Sequence, residues 1–159
     1  MLHLVQLVAT AVLASLAVQD LRARRLSNRA VLAFATLYFV AAALVRDGFA
    51  PVGAHVATGA AMLLLFGGFR HAGWIGGGDV KLAAAVFLWA GPALAVPVLT
   101  IVGACGLACG VAALAAVARQ RRTAPAHPVA ARGVPYGVPL ALGGALSVWA
   151  SFPHIVTLT

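Results

Sequence analysis

Long apolar runs separated by short basic clusters make up this chain. Hydropathy resolves six apolar segments: Leu2 to Gln19, Ala30 to Val45, Val52 to Phe69, a fourth from Val80 that breaks near Gly91 and Pro92, Ala93 to Ala118, and Tyr136 to Phe152 or the chain end. A span perpendicular to a bilayer needs about 20 residues. The fourth segment is short by that measure, so it either begins earlier, inside the glycine run, or stops partway across. No Lys or Arg precedes Leu2. A secretory signal carries a positive n-region, so the first segment is expected to be a retained span.

The positions of the basic residues test this count. Arg22, Arg24, Arg25 and Arg29 lie between segments one and two, Arg46 between two and three, and Arg70 and Lys81 flank the link between three and four. Arg119, Arg121, Arg122 and Arg132 lie between five and six. Six crossings put ten of these eleven residues on one side. Cytoplasmic loops carry such an excess, so both termini are expected outside. If the fourth segment did not cross, the cluster from Arg119 to Arg132 would move to the outer side. The pattern predicts an all-α polytopic membrane protein with six transmembrane helices, one domain over residues 1–159.

Composition agrees. Of the 159 residues, 63% are hydrophobic and 9% charged, against about 45–50% and 25% in soluble domains. A net charge of +8 invites a nucleic-acid reading. The clustering of the basic residues between apolar runs fits anionic lipid headgroups better, and no nucleic-acid partner is expected. Cys105 and Cys109 fall on one helix face inside an apolar run and read as small packing residues. Gly103, Gly106 and Gly110 give segment five small faces suited to close helix packing. The long link from Arg119 to Pro135 holds Pro125, Pro128 and Pro135 and reads as a mobile inner loop.

The candidate chemistry lies in the carboxylates. There are three, Asp20, Asp47 and Asp79, and no Glu. In the six-span topology Asp20 follows segment one and Asp79 precedes segment four, both at the inner boundary. Asp47 sits at the other boundary, roughly 30 Å of hydrocarbon away. Only Asp20 and Asp79 can meet. A meeting pair shares a proton and titrates in coupled steps; one member can deprotonate water while the other hydrogen-bonds a carbonyl, as in aspartic peptidases. The bland alternatives are a loop ion pair of Asp20 with Arg22 or Arg24 and a helix cap at Asp79. Gly76, Gly77 and Gly78 directly precede Asp79. Their lack of bulk would let a substrate backbone approach the carboxylate. A phosphate loop fails, because the run lacks the G-x-x-x-x-G-K-[ST] spacing. Asp79 at a helix start should ionise more easily than Asp20 at a helix end.

Three motifs in order carry a family resemblance. The run from Gly76 to Leu82, with Asp79 and Lys81, resembles the G-x-G-D motif of the type IV prepilin peptidases and their archaeal preflagellin relatives. Asp20-Leu21-Arg22 through Asn28 resembles the first aspartate motif of that family, with Leu26-Ser27 where Ile-Pro is common. Val134 to Pro139, including Pro135, Tyr136 and Gly137, resembles the motif entering the last span. The short length resembles the compact peptidases of tight-adherence (Flp-type) pilus systems. The resemblance implies a cofactor-free, metal-free aspartyl endopeptidase of the bacterial cytoplasmic membrane. It would remove the basic leader from a prepilin or pseudopilin substrate, with Asp20 and Asp79 as the catalytic pair. N-methylation of the mature pilin belongs to longer relatives with an additional cysteine-bearing domain and is not expected here.

Other protease classes lack their residues. A zinc peptidase wants H-E-x-x-H, and the five histidines are scattered. No serine sits in a glycine-rich activating context. A presenilin-like enzyme shares G-x-G-D but carries its partner aspartate in a Tyr-Asp pair, where this chain has Gln19-Asp20. The rival from another class is a non-catalytic membrane assembly or proton-coupled transport protein.

Overall fold

The computed structural model describes residues 1–123 and 136–152, without the side chains of 120–123. Five helices appear among them: α1 (Leu2–Ala23), α2 (Asn28–Val45), α3 (Phe49–His71), α4 (Gly77–Thr123) and α5 (Gly137–Ala150). No strand occurs among the described residues. Four of the helices are long and apolar enough to cross a membrane, and α5 is a shorter apolar helix. Pro135 and the basic residues at 121, 122 and 132 have no described side chains.

The expected break is at Gly91, which has φ 60 and ψ −174 inside α4. Only glycine occupies that region readily. A continuous helix would separate Asp79 from Gly106 by about 40 Å, yet both line one cavity. The chain therefore reverses at Gly91, and α4 consists of two antiparallel limbs, 77–90 and 92–123.

Long-range contacts fix how the resulting six rods pack. Gln6 bonds the Val148 carbonyl at one end of the α1–α5 pair, and Asp20 meets Gly137 at the other. Lys81 bonds Asn28, and the Trp89 indole N–H donates to the Phe34 carbonyl, so the first limb runs parallel to α2. Gly59 packs on Ala84 and Leu88, and Gly77 on Arg70, so α3 runs against it. The second limb is antiparallel to α5, with Val98 and Val102 at Gly143 and Tyr136 at Gly106.

The first limb is the centre of the bundle. Leu82, Ala83, Val86, Phe87 and Trp89 are fully buried, as an all-round apolar helix should be. The outer rods keep Leu64, Val96, Leu107 and Leu114 largely exposed. Patches of that kind need an apolar surrounding, which lipid supplies.

The reversal is capped by side chains from distant helices. Pro92 has no N–H, so the Leu88 carbonyl loses its helical donor. His55 Nδ1 lies 2.9 Å from that carbonyl; a carbonyl only accepts, so Nδ1 carries the proton. The His55 ring lies against Gly91 and stacks on Tyr38 with centroids 5.2 Å apart. The Ser151 hydroxyl reaches the carbonyls of Trp89 and Ser147.

Helix boundaries differ from the hydropathy reading at the polar ends. Asp20 is in the last turn of α1 rather than after it, and α4 starts at Gly77, so Asp79 lies inside its first turn. Hydropathy cannot see these turns, because helical hydrogen bonding continues into polar residues wherever caps are present.

Replacing Gly91 with Ala should destabilise the chain by more than about 2 kcal/mol, since it combines a strained conformation with a clash. Adding His55→Ala should recover part of the loss. Thermal unfolding in detergent reads both, and additive losses would contradict the packing of His55 on Gly91.

Candidate active site

Five helix ends converge at one end of the bundle: the C-termini of α1 and α3 and the N-termini of α2, α4 and α5. Asp20, in the last turn of α1, is only 6% exposed. Its Oδ2 accepts the backbone N–H of Gly137 at 2.8 Å. Gly137 is the first residue of α5, so the free N–H and the dipole of that helix point at the carboxylate. A Cβ on Gly137 would lie 2.6 Å from the Asp20 Cβ and 2.7 Å from Oδ2. Glycine is therefore required for this approach.

Asp79 is held by its own helix. Gly76 precedes the first turn of α4, and the Val80 N–H closes onto the Gly76 carbonyl. Asp79 is the third helical residue, and its carboxylate accepts the Gly76 backbone N–H. This is the reciprocal half of a capping box. Asp79 lies near enough to Asp20 for their charges to interact, so the two carboxylates share this end of the bundle. Asp47 is exposed in the α2–α3 connection, at the far end of α2 from these helix ends.

Both acids thus face a helix N-terminus, Asp79 that of α4 and Asp20 that of α5. The expected dipole asymmetry counted only the helix that Asp20 ends and not the N-terminus of α5 that faces it. The sequence shows that Asp20 ends one helix but not that another helix begins against it.

The glycine run is used differently from the expectation. The place of a Gly76 side chain is taken by the Asp79 carboxylate, that of Gly77 by the Arg70 guanidinium, and that of Gly78 by Leu26. In this conformation the chain's own groups fill the space expected for a substrate backbone. Lys81 Nζ donates to Asn28 Oδ1 at 3.1 Å, tying the fifth residue of α4 to the first residue of α2. Arg22 is exposed in the last turn of α1, where a cation suits the helix dipole. Tyr136 packs over Gly106. Pro135 lies outside the described residues.

A cavity of about 490 Å³ opens beside Asp79. Its walls include Phe66, Phe69 and Trp74 on one side and the Gly103, Gly106 and Gly110 face of the second limb on the other. Among the described residues, Asp79 is its one charged lining residue. Among the described residues, no three His, Cys or Asp side chains gather as metal ligands.

Sequence comparison gives one family match. The model of the type IV leader peptidase family aligns with residues 7–111, a stretch that contains both Asp20 and Asp79. No curated protein and no solved structure matches the chain.

Replacing Gly137 with Ala should cost about 1–3 kcal/mol of stability, as overpacked sites do. Gly53→Ala, where a Cβ meets nothing within 4 Å, should be neutral or stabilising by up to about 1 kcal/mol. Equal melting temperatures for the two variants would contradict the contact between Asp20 and Gly137.

Proposed function

The chain belongs to the type IV leader peptidase family, and from that premise we propose that it is an aspartyl endopeptidase using Asp20 and Asp79 to remove the basic leader of a prepilin or pseudopilin. The observation that carries this reading is the convergence of two carboxylates from different helices at one end of an apolar bundle. One carboxylate, ionised, takes a proton from a water molecule as its oxygen attacks the scissile carbonyl carbon. The other, protonated, hydrogen-bonds the carbonyl oxygen and stabilises the tetrahedral intermediate. Collapse of that intermediate breaks the C–N bond, and the leaving nitrogen takes up a proton from the acid. Asp20 draws on the Gly137 N–H and Asp79 on the Gly76 N–H, so each anion keeps a donor while its other lone pairs remain for water and substrate.

We read the six rods as six membrane crossings with both termini outside, and the carboxylate end as the cytoplasmic face of a bacterial inner membrane. Arg22, Arg24, Arg25, Arg29, Arg70 and Lys81 belong to helix ends and connections on that side, which supports the orientation. Arg46 lies in the opposite connection. Membrane lipids surround the exposed apolar rods. In this reading the glycines at 76 to 78 admit a substrate backbone only after Arg70 and Leu26 shift.

Co-expression with a candidate pilin tests the proposal, with leader loss read by mass. Asp20→Asn and Asp79→Asn should each reduce cleavage by roughly 10³-fold or more, the scale seen when one member of an acting unit is lost. Asp47→Asn should leave it unchanged. Full activity in either of the first two variants would reject the pair. An intact pilin with purified, folded wild-type chain would favour the non-catalytic reading.

A further inference from the structure

We infer that the furrow between α2 and α3 is a binding site for one anionic phospholipid, with the headgroup phosphate on Lys81 and an acyl chain along the first limb of α4. A cavity of about 600 Å³ lies there. Its floor is Lys81, Ala84, Ala85 and Leu88, the i, i+3, i+4, i+7 stripe of one helix face. Asp79 comes two residues before Lys81, so it falls on the other side of the limb and lines the other cavity. The furrow is therefore separate from the carboxylate site.

The furrow is polar at one end only. Asn28 and Lys81 are its polar lining residues among those described. Their hydrogen bond sets them level with each other, near the starts of α2 and the first limb. From there the lining is apolar as far as Phe39 and Leu88. Just past it, Tyr38 of α2 stacks on His55 of α3 and bridges the two walls. Asn28 and Phe39 are about 16 Å apart along α2, close to half of the roughly 30 Å of hydrocarbon in a bilayer. The furrow is thus as deep as one leaflet. A transmembrane helix laid in it would be walled over only half its length. A phospholipid of one leaflet matches it at both ends, with its phosphate at the membrane boundary and its chain ending near the midplane.

Charge selects the headgroup. Lys81 is the one charged residue among those described in the lining. The acceptor it uses is the neutral Asn28 side chain, so its charge is not offset and two of its three N–H donors remain for a phosphate. No carboxylate lines the furrow, so a headgroup ammonium would find no counterion there. Arg22, Arg25 and Arg29 are exposed at the same end and add to the field that attracts anionic lipid. A net-anionic phospholipid therefore fits better than a zwitterionic one.

The test uses the full chain, purified in detergent and stripped of lipid, with dipalmitoyl phosphatidylglycerol as the probe and native mass spectrometry as the readout. One bound molecule is expected. Lys81→Gln should weaken binding about fivefold, the scale of one basic residue at an anionic surface. Arg25→Gln removes the same charge at the same end but outside the furrow, and should change binding by less than about twofold. Ala60→Phe fills the furrow from an exposed position on its wall, and should weaken binding about tenfold or more. Ala61→Phe, exposed on the same helix but outside the lining, should not. Phosphatidylcholine with the same chains should bind about fivefold more weakly. Glycerol phosphate, which has the phosphate without the chains, should not compete. Equal losses in Lys81→Gln and Arg25→Gln would reveal a diffuse field and overturn the site. Unchanged binding in Ala60→Phe, equal binding of the two lipids, or competition by glycerol phosphate would do the same. Displacement of the lipid by a Leu/Ala transmembrane peptide, or by a dimer of the chain that Ala60→Phe abolishes, would assign the furrow to that occupant instead.

Thermal unfolding gives an independent readout, because a ligand that binds the folded chain raises its Tm. Saturating phosphatidylglycerol should raise Tm for the wild-type chain and for Ala61→Phe but not for Ala60→Phe. An equal rise in all three would reject the furrow. Neither measurement involves cleavage, so the lipid site stands or falls apart from the peptidase reading.

Discussion

A carboxylate with 6% of its surface exposed needs a hydrogen-bond donor, and the donor to Asp20 is the first N–H of α5. Desolvating an unpaired carboxylate costs several kcal/mol. The N-terminus of α5 must therefore sit against the C-terminus of α1, and that requirement organises the end of the bundle. It demands glycine at 137, because any Cβ there would strike Asp20. It also orients α5 antiparallel to α1, which places Gly144 between Leu13 and Val86. Asp79 meets the same need locally, through the N–H of Gly76. Two acids held by two helix N-termini can approach each other, because the helix dipoles offset part of their repulsion.

The opposite end of the bundle makes this convergence possible. Without the reversal at Gly91, α4 would be a rod of about 70 Å, and its second half would be carried far from the site. Reversal frees the Leu88 carbonyl, and His55 from α3 answers it. Phe34, Tyr38, Trp89 and Phe152 then close around the bend with ring contacts between 5.6 and 6.4 Å. The bend also returns Gly103, Gly106 and Gly110 to the level of Asp79, which creates the cavity. Aromatic packing at one end and carboxylate placement at the other are consequences of one glycine–proline pair.

Much of this was legible in the sequence. Apolar runs bounded by basic clusters located all the rods, because burial and lipid contact both select apolar residues. The break was visible at Gly91 and Pro92, since few other pairs interrupt a helix so sharply. That Asp20 and Asp79 lie toward one end of the bundle was legible in the order of the apolar segments. Contacts between residues far apart in the chain were not legible. The roles of His55, Leu26 and Arg70 depend on which faces of α3 and the α1–α2 link turn inward, and no local pattern encodes that. The glycine run was ambiguous for a related reason. A missing side chain signals that something approaches, but not whether the visitor is a substrate or the chain's own carboxylate.

The two central rods, 77–90 and α5, have fourteen residues each, about 21 Å of helix, against roughly 30 Å of hydrocarbon. The shortfall need not fall at the site. At the carboxylate end the short rods start level with their neighbours, for Gly77 meets Arg70 and Gly137 meets Asp20. At the other end Gly91 meets His55, six residues inside the start of α3, and Trp89 meets Tyr38, seven residues before the end of α2. Each offset is about 10 Å, which accounts for the missing length. The shortness is therefore taken up away from the carboxylates, where Gln6 Oε1 and the Tyr38 hydroxyl are buried with no hydrogen-bond partner among the described residues. Buried polar atoms of that kind are ordinarily met by water. Recession at the far end lets the bundle remain short at its centre while its acids stay level with the ends of the longer helices.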